Sequence, residues 1–218
     1  MPVKRAASAQ RLPPAERRAE ILEAAYEAFA TLGYDGVSME EIARRVGVTK
    51  PILYRHFASK DALCAACFYV MGEEMLRIVS GAIDPTSSPD RQMWAGIDAQ
   101  LRFIHDRAAE WRVFVREAPL RGGEAVKALE AGRLAVTEML AETIGGAIKA
   151  KGNTLPPRLE VEALAHVLFG AVEQMSLWWE AHPEQPVELV ALRTMNFVWQ
   201  GYGQLIEGRI WIPGASPG

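Results

Sequence analysis

The segment from Ser38 to Phe57 constrains the fold more than any other part of the chain. It contains two short apolar patterns with helical spacing, and a single glycine, Gly47, separates them. Ser38 is a favourable N-cap for the first helix, and Glu41, three residues later, completes a capping box. Gly47 ends that helix, and Thr49 is expected to cap the second. Two short helices joined across a glycine turn predict a helix-turn-helix motif.

The apolar residues of this segment indicate how the two helices pack. The first helix turns Ile42, Ala43 and Val46 inward, and the second turns Leu53 and Phe57 inward. Ala43 is small at the point where the helices cross, which allows them to approach closely. This packing leaves the polar side chains of the second helix outward, where its N-terminal half can enter the major groove of DNA.

Apolar residues at helical spacing continue along the rest of the chain, and no alternating pattern is long enough to predict a strand. The sequence therefore predicts an all-α fold. Its expected parts are a flexible basic arm over residues 1–13, a helix-turn-helix domain over 14–62 and a C-terminal helical domain over 63–210. The other predicted helices run from Pro14 to Leu32, from Ser59 to about Asp84, and over about 90–107, 124–151, 157–181 and 186–208.

Two of these helices have apolar stripes that predict their buried faces. Gly33 is expected to stop the first helix, and Ser59 is expected to cap the helix that follows the motif. The residues predicted to be buried are Ile21, Ala25, Phe29 and Leu32 in the former, and Leu63, Cys67, Val70 and Met71 in the latter.

Composition excludes several classes of protein. Half of the 218 residues are apolar and 23% are charged, which argues against disorder and collagen-like repeats. No stretch approaches the roughly 20 apolar residues that a membrane span requires. Two cysteines and the lack of an apolar signal segment at the N-terminus predict a cytoplasmic protein with no membrane partner.

Charge is distributed unevenly along the chain. Residues 1–62 carry ten Lys/Arg and eight Asp/Glu, whereas residues 63–218 carry fourteen and nineteen. A basic N-terminal part on an acidic remainder suggests that one end of the molecule meets an anion. A difference of this size also arises by chance, so charge alone does not decide between the two interpretations.

Three stretches around the motif resemble a known family. They are GYDGVSMEEIA at 33–43, GVTKPILYRHF at 47–57 and SKDAL at 59–63. Together they closely resemble the N-terminal domain of the TetR family of bacterial transcriptional regulators. The detailed resemblance covers about residues 15–65, and beyond it only the pattern of helices is similar.

The resemblance implies which residues contact DNA. Thr49, Lys50, Tyr54 and Lys60 match positions that usually hold phosphates, and Pro51, Arg55 and His56 match positions that often set sequence preference. Ser38 and Arg44 on the preceding helix complete the expected DNA-binding set. Most phosphate contacts would position the protein without reading the base sequence.

The resemblance also implies a homodimer and an effector-binding C-terminal domain. The last two helices are expected to pair with their twins through Gly170, Leu192, Met195, Trp199, Tyr202 and Ile206. A cavity for a small apolar or aromatic effector is expected to be lined by Phe68, Met71, Met75, Trp94, Phe103, Trp111, Phe114, Met139, Phe169, Gln174, Met175 and Trp178. Polar candidates beside that lining are Gln100, His105, Glu173, Gln174 and Ser176. Such a protein would need no cofactor, and repression is the commoner mode in the family.

Other functions remain as alternatives at this stage. Cys64 and Cys67 have the spacing of a redox or metal pair, but they lie within a helix with no second pair, so two buried thiols are expected. The histidines share no metal-ligand spacing, and no metal or catalytic site is predicted. A small helical enzyme and a helical adaptor for an acidic protein are the competing hypotheses. Salt-dependent binding to one palindromic duplex would separate a DNA-binding regulator from both.

Overall fold

The computed structural model describes residues 13–117, 122–152, 158–207 and 209, and these residues contain helices, turns and no strand. The predicted all-α fold is therefore confirmed. All but one residue of the expected basic arm lie outside the described residues. The helices are α1 (Pro14–Gly36), α2 (Met39–Val46), α3 (Lys50–His56), α4 (Lys60–Ala82), α5 (Pro89–Asp106), α6 (Ala108–Trp111), α7 (Gly123–Ala150), α8 (Arg158–Glu180) and α9 (Val187–Ile206), with a π-helical segment over Arg112–Glu117.

The turn between α2 and α3 forms as the sequence predicts. Gly47 adopts a left-handed conformation (φ 73°, ψ 30°), and the next backbone N–H, that of Val48, donates to Ala43 O at 2.9 Å. The Ser38 hydroxyl accepts a hydrogen bond from Glu41 N at 3.1 Å. The capping box is only half formed, because the Glu41 carboxylate binds two arginines of α2 instead of turning back to Ser38.

The apolar stripes of α1 and α4 are mostly correct, with one wrong residue in each. Leu32 is 44% exposed, because the chain turns at Gly33 (φ 71°, ψ 173°) and brings Tyr34 back to stack on Phe29. Tyr34 therefore occupies the space that the helical spacing assigned to Leu32. Val70 is 45% exposed, since the buried face of α4 runs through neighbouring positions.

The molecule has two regions that share one helix. The head consists of α1–α3 with the first turn of α4, and the body consists of the rest of α4 through α9. One buried cluster runs from Ile21 and Phe29 in the head to Met71 and Leu129 in the body. The boundary expected at residues 62/63 therefore falls inside both a continuous helix and a continuous core.

Two carboxylates also join the head to the body. Asp61 in α4 accepts hydrogen bonds from the first backbone N–H groups of α7, at 2.5 Å from Glu124 N and 3.4 Å from Ala125 N. Glu117 at the end of the π-helical segment accepts from Tyr34 N at 3.1 Å.

The sequence did not predict α6 or this π-helical segment, which packs Val113 fully into the shared core.

Candidate DNA-binding face and ligand cavity

The polar side of α3 is exposed on the head. The burial of Leu53 and Phe57 fixes the rotation of this helix, so that Lys50, Tyr54 and Arg55 face outward. Pro51 is exposed in the first turn, and His56 is half-buried at the C-terminal end. The structure thus brings the five residues predicted on this helix to one end of the molecule.

Several cations of this face are already paired with carboxylates of α2. Lys50 Nζ binds Glu40, and both side chains are at least half exposed. The hydrogen bond from Lys50 lowers the pKa of Glu40, and the same pair raises the pKa of Lys50. Arg44 donates to the Glu41 carboxylate at 2.8 Å, although its own side chain is 75% exposed. By contrast, Arg55 makes no ion pair within the described part of the chain.

Lys60 has a structural role in this conformation. Its ammonium donates to Tyr34 O at 2.9 Å and to Val37 O at 3.1 Å, and it lies over the Tyr34 ring at 4.4 Å. The cation thereby ties the loop between α1 and α2 to the start of α4. Two of its three N–H donors are used within the chain, which leaves one for a phosphate.

Ser38 and Thr49 differ although both occupy N-cap positions. The Ser38 hydroxyl is used to cap α2. Thr49 was expected to cap α3 with its side chain, but its hydroxyl makes no capping hydrogen bond; the Thr49 carbonyl accepts from Ile52 N and Leu53 N instead. The exposed Thr49 hydroxyl is therefore the group at the N-terminus of α3 that remains available to an anion.

The body encloses an apolar cavity with two adjoining lobes. Lobe A lies among α4, α5, α7, α8 and α9, and lobe B lies among α4, α7, α8 and the π-helical segment. The space between atoms is about 820 Å³ in each lobe, including the mouths that are open to solvent. The residues that line both lobes are Met75, Leu76, Val136 and Phe169. The two lobes therefore lie side by side, with these four side chains between them.

Half of the predicted pocket residues line this cavity. These six are Phe68, Met71, Met75, Trp111, Met139 and Phe169. The side chain of Phe114 lies outside the described residues. Sequence reasoning missed Leu76, Val79, Val136 and Leu140, which repeat at helical spacing on the inner faces of α4 and α7. This helical spacing was the signal in the sequence from which these lining residues could have been predicted.

Five predicted pocket residues lie elsewhere. Trp94 borders a separate surface groove with Arg102 and Arg107, and Phe103 is 3% exposed within the shared core. Gln174, Met175 and Trp178 line a shallow depression on the outer side of α8. The cause is helical phase, because the buried face of α8 runs through Val161, Ala165, Leu168 and Val172. Among the polar candidates, Gln100 lines lobe A, Glu173 lines lobe B, and His105 stacks on Trp179.

The outer face of α8 and α9 exposes large apolar side chains. Val167 is 71% exposed and Phe197 is 80% exposed, and neither was predicted as an interface residue. Of the predicted set, Leu192 is exposed, Gly170 has open space at its Cβ position, and the side chain of Ile206 lies outside the described residues. Met195 and Trp199 are only partly buried.

The structure places Tyr202 away from the expected subunit seam. Its side chain is 8% exposed, packs with Ile144 and Ala165, and lines lobe A. The reason is again helical phase, since Val190, Ala191 and Thr194 form the buried face of α9, which Tyr202 continues. Burial raises the pKa of the Tyr202 hydroxyl to about 12, so that this group is a neutral hydrogen-bond donor.

The two cysteines are free buried thiols, as the sequence predicts. Burial raises the pKa of Cys64 to about 12 and that of Cys67 further still. Thiols in this state are poor nucleophiles and poor metal ligands.

No cluster of three His, Cys, Asp or Glu side chains with metal-binding geometry occurs in the described residues. A search of the same residues finds no helix with the length and apolar character needed to cross a bilayer.

Two family models match the chain. Residues 21–67 match the model of bacterial regulatory proteins of the tetR family, and residues 89–201 match the tetracyclin repressor-like C-terminal domain. The first match covers α2 and α3 with most of α1 and the start of α4. The second covers almost all of the body beyond α4.

Curated relatives are named as transcriptional regulators. The HTH-type transcriptional activator FasR of Mycolicibacterium smegmatis is 37% identical over 103 residues, which cover 47% of each chain. The uncharacterized HTH-type transcriptional regulator Rv1255c of Mycobacterium tuberculosis is 31% identical over 66% of this chain and 67% of its own. The HTH-type transcriptional repressor Rv1474c of the same species is 33% identical over 44% and 57%. The chain therefore spans about half to two thirds of these relatives.

Solved structures extend the similarity over nearly the whole chain. A TetR-like transcriptional regulator from Rhodococcus sp. RHA1 has a TM-score of 0.66 at 28% identity, and the match covers 88% of this chain and 99% of that one. A tetR-family transcriptional regulator from Streptomyces coelicolor has a TM-score of 0.68 at 19% identity, over 90% and 89%. The latter likeness concerns the fold alone.

Proposed function

The chain belongs to the TetR family of bacterial transcriptional regulators, and we propose that it acts as a homodimeric repressor that a small apolar effector releases from its operator. Membership of this family makes it a DNA-binding regulator and not an enzyme. The main support for the proposed ligand response is the two-lobed apolar cavity inside the body. Apolar cavities of this kind are the usual sites of small-molecule binding.

In the proposed complex, α3 of each subunit enters the major groove. Arg55 is the main candidate for base contact, because it is exposed and has no carboxylate partner among the described residues. The other proposed contacts are the N-cap Thr49 and, on the same short helix, Lys50, Pro51, Tyr54 and His56. A two-fold dimer places its two recognition helices about 34 Å apart, so the operator should be a near-palindrome.

The proposed dimer forms through the outer face of α8 and α9. Val167, Phe197 and Leu192 would lose exposed apolar area there, and Gly170 allows close approach of a second helix. An isologous contact of this type is the commonest arrangement in homodimers. Since α8 also lines the cavity, a ligand and the partner subunit would act on the same helix.

The proposed route from the cavity to DNA runs along α4. Met75 and Leu76 of α4 line both lobes, and Leu63 at the other end of the helix packs in the shared core beneath the head. A ligand that separates α4 from α7 would therefore move the head through a continuous helix. Release follows if the ligand-bound conformation holds the two α3 helices at a spacing that does not fit the operator.

The test of DNA binding is a titration of one palindromic duplex and one random duplex at several salt concentrations. Arg55→Ala should lose about 1–3 kcal/mol on the palindrome and relax its base preference, whereas Lys50→Ala should weaken both duplexes and reduce the salt slope by about one. Arg77→Ala is the matched control, because this exposed arginine lies on α4 in the body. Equal affinity of the wild-type protein for both duplexes would contradict the proposal.

The test of the dimer is sedimentation of Phe197→Glu beside Leu134→Glu. Both substitutions place a carboxylate on an exposed apolar position, but Leu134 lies on α7, away from the α8–α9 face. Phe197→Glu should give monomers with weakened palindrome binding, and Leu134→Glu should remain a dimer. A dimeric Phe197→Glu protein with full affinity would place the interface elsewhere. A separate measurement of transcription from an operator-controlled promoter, with and without the protein, distinguishes repression from activation.

A further inference from the structure

Among the described residues, lobe A has no charged side chain in its wall. It is lined by aliphatic, methionine and phenylalanine side chains, and its polar side chains are those of Gln92, Gln100, Thr143 and Tyr202. A charged group that entered this lobe would lose its hydration and find no counter-ion. Burial of an unpaired charge is far more costly than burial of a neutral polar group. Lobe A therefore favours an uncharged ligand.

Two of the four polar groups in lobe A are already used by the chain. The Gln92 amide donates to Pro85 O at 3.2 Å and to Ser87 O at 2.8 Å, which holds the loop before α5. The Thr143 hydroxyl donates to Met139 O at 2.9 Å within α7. Neither group can donate to a ligand without losing one of these hydrogen bonds.

The other two groups have no hydrogen-bond partner among the described residues. Gln100 lines the lobe from α5, and Tyr202 lines it from α9. Burial keeps the tyrosine hydroxyl protonated, so it is a donor as well as an acceptor. Both groups are neutral, and both match an oxygen function such as a hydroxyl or carbonyl.

Within the part of the chain that the structure describes, lobe B does not offer an unpaired cation either. Its charged wall residues are Glu73, Arg133 and Glu173, and Arg133 is bound to Glu173 across α7 and α8. Two further arginines border the adjoining groove, and each has a carboxylate partner: Arg112 with Glu117 at 3.7 Å, and Arg116 with Glu180 at 2.5 Å. An anionic head group at this mouth would therefore compete with a carboxylate that is already bound to each arginine.

We propose that the effector is an uncharged, elongated apolar molecule whose oxygen group hydrogen-bonds to Gln100 or Tyr202 in lobe A while its apolar part extends into lobe B. This inference rests on the proposed ligand response and narrows it. It assigns Tyr202 to effector recognition instead of subunit contact. It also separates neutral ligands from fatty anions and lipophilic cations, which share the same apolar chain.

The first experiment compares three probes with one chain length: decanol, decanoate and decyltrimethylammonium, each below its micelle-forming concentration. Calorimetry and the fluorescence of Trp111, which lines lobe B, report binding. Decanol should bind at least about tenfold more tightly than either ion, because a charged head group would meet no counter-ion in the described wall of lobe A. Tighter binding of decanoate or of the cation would overturn this inference and leave the ligand-responsive regulator intact.

The second experiment removes the two hydrogen-bonding groups. Tyr202→Phe deletes only the hydroxyl and Gln100→Leu keeps the side-chain volume, so at least one of the two variants should weaken decanol binding about fivefold to tenfold. Gln174→Leu is the matched control, since this residue lies on the outer side of α8. Unchanged decanol affinity in both cavity variants would overturn the assignment of these residues.

The third experiment tests whether the ligand spans both lobes. Gly72 lines lobe B, and a Cβ added there would meet no atom within 4 Å. Gly72→Leu should therefore fill lobe B and shift the preferred probe from decanol to hexanol, whereas Gly146→Leu, on an open part of α7, should not. An unchanged preference would overturn the two-lobe placement. If none of the alcohols or ions binds or releases operator DNA, both this inference and the ligand response are wrong.

Discussion

The head and the body are built from similar helices but are packed for different tasks. In the head, Phe29, Ile42 and Leu53 are fully buried, and the turn between α2 and α3 is fixed by the left-handed Gly47 and the hydrogen bond from Val48 N to Ala43 O. In the body, the inner faces of α4 and α7 surround space instead of filling it. A close-packed region holds one geometry, whereas side chains around a cavity can rearrange with little loss of contact.

Helix α4 shows this difference within one element. Its first turns contribute Leu63, Cys64 and Cys67 to the shared core, and its later turns contribute Met75 and Leu76 to the cavity wall. The same helix is therefore anchored at one end and adaptable at the other. This arrangement allows a change in the cavity to reach the head without disturbing the packing that orients α3.

The largest expected effect compares two leucines of α4. Leu63→Ala should cost about 3–4 kcal/mol of unfolding free energy, because it leaves a new void in a filled core. Leu76→Ala should cost about 1–2 kcal/mol less than that, since it enlarges a space that already exists. Urea unfolding measures both values. Equal costs would mean that the cavity wall is packed as tightly as the head.

A second prediction concerns the contact that joins the two regions. Asp61→Ala should lower stability by about 1–2 kcal/mol, because the first N–H groups of α7 lose their acceptor. Asp61→Asn should retain part of the contact through its amide oxygen, and the exposed Asp106→Ala should have little effect. Hydrogen exchange should increase at the start of α7 in Asp61→Ala alone. Exchange unchanged at that site would show that the cap is dispensable.

A smaller effect is expected at the DNA-binding face. Glu40→Gln removes the carboxylate that binds Lys50, so affinity for every duplex should rise about threefold to tenfold at low salt. Glu23→Gln, on the exposed side of α1, changes the net charge equally and should raise affinity much less. Because Lys50 lowers the pKa of Glu40, the wild-type pair persists until the pH falls through that lowered value. An equal rise in DNA affinity in both variants would show that the effect comes from the change in net charge and not from the release of Lys50.

The smallest expected effect is chemical modification of the shared core. Neither Cys64 nor Cys67 should react with a thiol reagent at neutral pH in the folded protein, because both are buried and protonated. Both should react after unfolding in guanidinium. Rapid reaction in native buffer would show that the core beneath the head opens as readily as the cavity.

Sequence reasoning succeeded where local chemistry determines the structure. Ser38, Gly47 and Ser59 act within a few residues of their own positions, and all three behave as predicted. The burial of Leu53 and the exposure of Arg55 also follow from the spacing within one short helix. The DNA-binding head was therefore accessible from the sequence almost in full.

The errors occurred where tertiary packing determines the outcome. Whether Tyr202 faces a partner or a cavity depends on the rotation of α9 against α7 and α8, and an apolar stripe leaves that rotation open. The pairing of Lys50 with Glu40 and the bonds from Lys60 to the α1–α2 loop join residues ten or more positions apart. Trp94 and Phe103 were expected in the cavity because they are aromatic, but each packs elsewhere.

The Asp61 cap has a consequence for domain exchange between related regulators. Consider a chimera that joins the head of this protein to the body of a related regulator at residues 62/63. Asp61 then comes from this protein, whereas the recipient, the related regulator, supplies the residue at position 123 and the start of α7. At Gly123 (φ 72°), an added Cβ would lie 2.3 Å from Asp61 Oδ2, so a recipient with a side chain there would expel the carboxylate. Interchangeable heads and bodies must therefore be matched at this aspartate–glycine pair.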